Sequence, residues 1–216
     1  MAIDRRDSLS QLRYALTLVA EAVPALGLRE RKKARARADL EAVALRLFAA
    51  QGYDETTVDE IARGAEFSPA TFFRYFRSKE EVVFAFQQEY GDEVARIVDE
   101  EIAPGPVDAA RLECVIARFA AFLDDDPLFR VRTELVVTNR TLQARSLLGQ
   151  AQWEHRLADA LALNAGHDAP DTHARAAAAV AYSVLYCAAR IWAATGYGQG
   201  LKDLVAETIN DMRSVL

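Results

Sequence analysis

The chain has 216 residues, a formal net charge of −6 and two cysteines. Hydrophobic residues make up 51% and charged residues 27%, the balance of a globular protein with a sizeable core rather than a disordered or fibrous chain. No run of about eighteen consecutive apolar residues offers a membrane span. Asp4, Asp7, Arg13 and Glu21 interrupt the N-terminus where a signal peptide needs an apolar run. Cys114 and Cys187 stand alone without a C-x-x-C, which argues against a disulfide scaffold or zinc site and for a reducing cytoplasm.

Helical periodicity dominates and strand signals are absent, so the expected fold class is all-α. The first expected helix is 8–23, an extension with Leu9, Leu12, Leu16, Val19 and Val23 on one stripe and Ser8 with Gln11 as a capping box. The second runs from about Arg31 to Ala50 and turns Leu40, Val43, Ala44, Leu47 and Phe48 inward. Gln51-Gly52 ends it as a glycine C-cap does. At its start, RERKKARAR (Arg29–Arg37) carries six positive charges opposed only by Glu30. Residues 28–80 hold eleven Lys and Arg against nine acids, and 81–216 hold twelve against twenty. A basic block beside an acidic remainder points to local contact with a polyanion, the plainer alternative being a solvated helix face.

Three helix starts follow in quick succession. Thr57-x-x-Glu60 is a capping box, Ser68-Pro69 is an N-cap with proline at the first helical position, and Ser78-x-x-Glu81 repeats the capping-box pattern. Helices this short bury little alone, so Ile61, Ala62, Ala65, Phe67, Phe72 and Phe76 must share a core with the preceding long helix. The spacing is that of a helix-turn-helix, with 69–76 as its second helix. Phe72 and Phe76, four apart, face that core together. Pro69, Ala70, Thr71, Phe73, Arg74 and Tyr75 are left outward.

From Lys79 one long helix is expected to about Ala103, closed by Pro104-Gly105-Pro106. Helices at 107–124, 127–139, 140–164, 171–195 and 199–215 come next. Helix 171–195 is apolar on several faces and must be covered on several sides.

The stretch LRLFAAQGYDETTVDEIARGAEFSPATFFRYFRSKEEVVFAF resembles the N-terminal DNA-binding domain of the TetR family of transcriptional regulators. LF-x-x-x-GY, TTV-x-x-IA, A-x-x-S and TFF-x-YF-x-SKE occur in the family's order over about sixty residues, and SPATFFRYF is most similar to actinobacterial members. The resemblance implies three segments: an extension at 1–27, a helix-turn-helix DNA-binding domain at 28–86, and a ligand-binding and dimerisation domain at 87–216. It places helix 69–76 in the major groove. There Thr71 and Tyr75 would bind phosphate oxygens, and Arg74 a phosphate or guanine edge. Pro69, Ala70 and Phe73 would line the same surface. Lys79 and Thr57 would meet phosphates at helix N-termini. Thr57 serves equally as a plain N-cap, and Tyr75 has packing against helix 31–50 as its alternative. The block containing Arg35 would form the family's basic arm. Two residues depart from the family: Phe73 stands where tyrosine is usual, and Glu66 where the turn usually has glycine.

The resemblance also implies a homodimer through helices 171–195 and 199–215, placing two reading heads about 34–36 Å apart. An effector pocket would be lined by Phe119, Phe122, Phe129, Arg132, Leu135, Trp153, Tyr182 and Tyr186. Arg132, Asn139, Gln150, Glu154 and Arg190 are polar residues that could meet a ligand's head group. A fatty acyl thioester and a flat aromatic both fit. The expected function is a ligand-responsive repressor of a double-stranded DNA operator, with no cofactor, metal or membrane partner. The alternatives are a regulator working through protein contacts and, last, an all-α enzyme. His155, His167 and His173 lack H-x-x-x-H and H-E-x-x-H spacing, and no nucleophile elbow or phosphate loop is present.

Overall fold

The structure is a computed structural model that describes residues 27–215; the expected helix 8–23 lies outside them. Among the described residues the regular elements are α1 (Leu28–Gln51), α2 (Val58–Gly64), α3 (Pro69–Tyr75), α4 (Lys79–Val83), α5 (Gln87–Glu101), α6 (Ala109–Asp125), α7 (Phe129–Thr138), α8 (Arg140–Asn164), α9 (Thr172–Ala194) and α10 (Leu201–Val215). The all-α class follows.

The chain divides into two compact units. The first comprises residues up to Ala85 together with Asp126–Leu142. The segment 126–142, expected with the C-terminal body, therefore packs with the helix-turn-helix. In this unit α1 packs against α2, α4 and α7, and α2 against α3. Leu40, Ala44, Leu45 and Phe48 of α1 meet Ile61, Ala62, Phe72, Phe76, Val82 and Val83 in one buried core. Val43 and Leu47, expected inward, are only half-buried. Gly64 permits the close approach of α2 to α1, because a Cβ there would stand 2.8 Å from Val43 Cγ1.

The expected single helix from Lys79 to Ala103 is in fact two. It breaks at Phe84–Phe86, between α4 and α5. Val82, Val83 and Phe84 are all buried, and three consecutive residues fan over too wide an arc to share one face of a straight helix. The chain tightens instead, with Ala85 N–H donating to the Val82 carbonyl.

The second unit comprises Phe86–Asp125 and residues from Gln143 onward. Here α6 packs against α5, α9 and α10, and α9 against α10. Two long-range side chains close helix ends. The Asp124 carboxylate accepts from the Leu201 and Lys202 N–H groups, each at 2.9 Å, and caps α10. Asn164 Nδ2 donates to the Val98 and Ile102 carbonyls at the end of α5. By length and hydropathy α9 could cross a membrane, but one side of it, Ala174, Ala177, Ala178, Ala181, Val184, Leu185, Ala188 and Trp192, is buried in this unit.

Candidate nucleic-acid interface and aromatic cluster

The α2–turn–α3 segment is built by local chemistry. Glu60 N–H donates to Thr57 Oγ1 at 3.2 Å, while Thr57 N–H and Oγ1 both donate to Glu60 Oε2 at 2.8 Å. The capping box is thus complete, and the Thr57 backbone holds the Glu60 carboxyl below its ordinary range. Thr57 is exposed, but its hydroxyl is fully engaged as a cap. At the other end of α2, Glu66 N–H donates to the Arg63 carbonyl and Phe67 N–H to the Ala62 carbonyl. This is a Schellman closure, and Glu66 occupies its left-handed position at φ 61°.

Ser68 Oγ then caps α3 by accepting from Thr71 N–H. Phe72 and Phe76 are 0% and 1% exposed, whereas Phe73 between them is 56% exposed. Pro69, Ala70 and Arg74 are also exposed, and Thr71 and Tyr75 half-buried. The Thr71 hydroxyl lies 3.0 Å from that of Ser68, and the Arg74 guanidinium lies over the Tyr75 ring. The helix is therefore a short rod anchored by two buried rings, with an aromatic ring and a cation exposed on its other side.

Lys79 has a structural occupation that the sequence does not reveal. Its ammonium donates to the Tyr53 and Thr56 carbonyls, each at 2.8 Å, and sits 4.5 Å from the centre of the Tyr53 ring. It ties the loop after α1 to the start of α4. Burial, with Glu80 beside it, pushes the Tyr53 phenol far above its ordinary value. On α1 the whole block, Arg29, Arg31, Lys32, Lys33, Arg35 and Arg37, is exposed. Arg37 lies over the Phe76 ring, so its guanidinium is held against the end of α3.

The eight expected pocket residues fall in both units. Phe129, Arg132 and Leu135 belong to the first. There Arg132, only 6% exposed, pairs with Glu41 of α1 and with Asp126, so its donors are already directed at carboxylates. Asn139 Nδ2 donates to Asp54. In the second unit Phe119, Phe122, Trp153, Tyr182 and Tyr186 form a connected run of rings. Phe119 lies 5.4 Å from Trp153, Trp153 5.8 Å from Tyr182, and Tyr182 stacks on Tyr186. Tyr90 joins them edge-on to Phe119 and Phe122. Sequence reasoning missed Tyr90, although its four-residue spacing from Phe86 was the available signal. Gln150 donates to Glu154. Burial, with Tyr186 and Glu154 adding to it, pushes the Tyr182 phenol up to about 12. Arg190 lies over the Tyr186 ring at the exposed end.

Two family models match the chain. The model for bacterial regulatory proteins of the tetR family matches residues 41–86, and the model for the MftR C-terminal domain matches 105–216. Over 56 residues the chain is 59% identical to the HTH-type transcriptional regulator TcmR of Streptomyces glaucescens, covering 26% of this chain and 25% of that protein. Over 130 residues it is 28% identical to the mycofactocin biosynthesis transcriptional regulator MftR of Mycobacterium tuberculosis, covering 60% and 65%. The chain thus spans from a quarter to just under two thirds of these relatives' lengths. Among solved structures, FadR of Bacillus subtilis in complex with stearoyl-CoA has the same fold, with a TM-score of 0.56 at 19% identity over 80% of this chain and 95% of that one.

Proposed function

This chain belongs to the TetR family of bacterial regulatory proteins, and we propose that it is a homodimeric repressor released from its operator when a small, largely apolar effector binds the second unit. Proteins of this family are DNA-binding regulators of transcription, not enzymes. The observation that carries the reading is α3, whose Phe73 and Arg74 stand outward while Phe72 and Phe76 are sealed in the core. On this reading residues 28–86 bind DNA, with α3 in the major groove and the α1 basic block, Arg35 included, on the flanking backbone. The second unit, residues 86–125 and 143 onward, binds effector and dimerises, and the protein works in the cytoplasm.

The outward stripe of α9 supports a twofold mate. Ala176, Val180, Ser183, Cys187 and Ile191 are exposed, small or apolar residues that allow close helix approach. Two reading heads then face half-sites one duplex turn apart. The run of rings in the second unit, and the stearoyl-CoA held by the B. subtilis FadR, support an apolar effector. Effector binding acts by favouring a state with mis-spaced heads.

Footprinting on the DNA upstream of the chain's own coding sequence tests this. A protected, twofold-symmetric site that weakens steeply with salt is expected. Absence of any salt-sensitive protection overturns the reading.

A further inference from the structure

Both tryptophans of the chain are buried, each 8% exposed, but only one has its indole N–H satisfied. Trp192 Nε1 donates to the Gln199 carbonyl at 2.7 Å. Trp153 Nε1 is sealed from solvent and has no hydrogen-bond partner. The rings of Phe119 and Tyr182 pack tilted against its indole, 5.4 and 5.8 Å away between centres. A ring face is a weak acceptor beside a carbonyl oxygen, and a buried donor left in this state is costly.

The charges around the rings narrow what could complete it. Glu154 lies close enough to Tyr182 to raise its phenol, and its carboxylate already accepts from Gln150. Arg156 is paired with Asp92, and Arg96 with Glu93, Glu100 and Glu101. Arg190 sits at the exposed end, over Tyr186, itself 43% exposed. The deep end therefore presents a neutral donor, against which burying an anionic head would be costly. Exposure rises from Phe119 and Trp153 through the half-buried Phe122 and Tyr182 to Tyr186. Rings at these separations touch one another, and a flat ligand ring would extend that packing.

We propose, resting on the effector role assigned to the second unit, that the ring cluster binds a flat aromatic molecule whose uncharged carbonyl accepts the Trp153 Nε1 hydrogen. A buried carbonyl satisfies the stranded donor without burying a charge. An aliphatic ketone would satisfy the donor but lose the ring contacts. An aryl carboxylate would keep the rings but bury a negative charge.

The test uses four probes on the full chain. They are 2-acetylnaphthalene, 2-ethylnaphthalene (the same shape without the acceptor), 2-naphthoate and 2-undecanone. Calorimetry should show 2-acetylnaphthalene binding about tenfold tighter than the ethyl compound, the advantage of one buried hydrogen bond, and tighter than naphthoate or undecanone. Trp153→Phe should erase the advantage of the ketone over 2-ethylnaphthalene, with thermal unfolding run beside it to report that the variant is folded. On the unmutated protein, the ¹⁵N-labelled indole resonance of Trp153 should move downfield with the ketone while that of Trp192 stays. The proposal is overturned by equal affinity for ketone and ethyl compound, by tighter binding of naphthoate or undecanone, by an unmoved Trp153 resonance, or by no binding of any probe. Footprinting is read separately, so an intact footprint with a failed probe series refutes this inference and leaves operator binding standing.

Discussion

Arg132 on α7 and Glu41 on α1, ninety-one residues apart in the chain, form an ion pair inside the first unit, and Asp126 completes it from the other side at 3.0 Å. The guanidinium is 7% exposed as a side chain and the two carboxylates 16% and 17%. This places helix 129–138 in the same packed body as the helix-turn-helix. Arg132→Met strands two poorly solvated carboxylates, so it should destabilise the first unit by about 3 kcal/mol in urea unfolding. Arg96→Ala, in an exposed network on α5, should leave stability almost unchanged. Equal losses would deny the Arg132 pair any special weight.

Neighbouring rings on α3 should separate stability from recognition. Phe72→Ala empties a fully buried site and should cost about 3–5 kcal/mol. Phe73→Ala, at an exposed position, should change stability by less than about 0.5 kcal/mol while weakening operator binding. A gel shift beside thermal unfolding reads both. A stability loss for Phe73→Ala comparable with that for Phe72→Ala would contradict the orientation of the helix.

Glu66 holds the left-handed position of the turn between α2 and α3. Glycine adopts that backbone without the Cβ clash, so Glu66→Gly should raise unfolding stability by about 0.5–1 kcal/mol. If this turn faces DNA as the proposed function has it, removing the acid should also tighten operator binding. A lower melting temperature would show that the glutamate side chain stabilises more than its backbone costs.

Arg74 and Lys79 should fail in different ways. Arg74→Ala removes a solvent-facing guanidinium; it should relax discrimination at one base pair by about 1–3 kcal/mol with little effect on folding. Lys79→Met removes donors that tie down the Tyr53 and Thr56 carbonyls. It should lower the melting temperature and weaken binding to all DNA sequences alike. A Lys79 variant with unchanged melting temperature and a salt slope lower by about one would make this residue a phosphate contact alone.

Much of the helix-turn-helix was legible because its signals act over one turn of chain. Thr57, Ser68 and Pro69 mark helix starts by bonding or conformation within three residues. Phe72 and Phe76 declare the buried face by spacing alone. The break at Phe84–Phe86 was not legible, because Val82, Val83 and Phe84 acquire a reason to be buried together only when other elements surround them. Tyr90 escaped for the same reason: nothing local tells a ring in a cluster from a ring in a core.

Length, composition and periodicity determined by themselves that this is a helical chain whose short helix at 69–76 has its two sides already sorted into buried and outward. Caps and hydrophobic spacing depend on neighbours within a few residues, and those neighbours are written in order. Only the tertiary structure decided that Arg132 serves Glu41 and Asp126, that Lys79 closes a loop, and that Trp153 alone of the two indoles has an unanswered donor. Each of those depends on which charges and carbonyls distant segments bring within about 3 Å, where hydrogen bonds and ion pairs are made or missed.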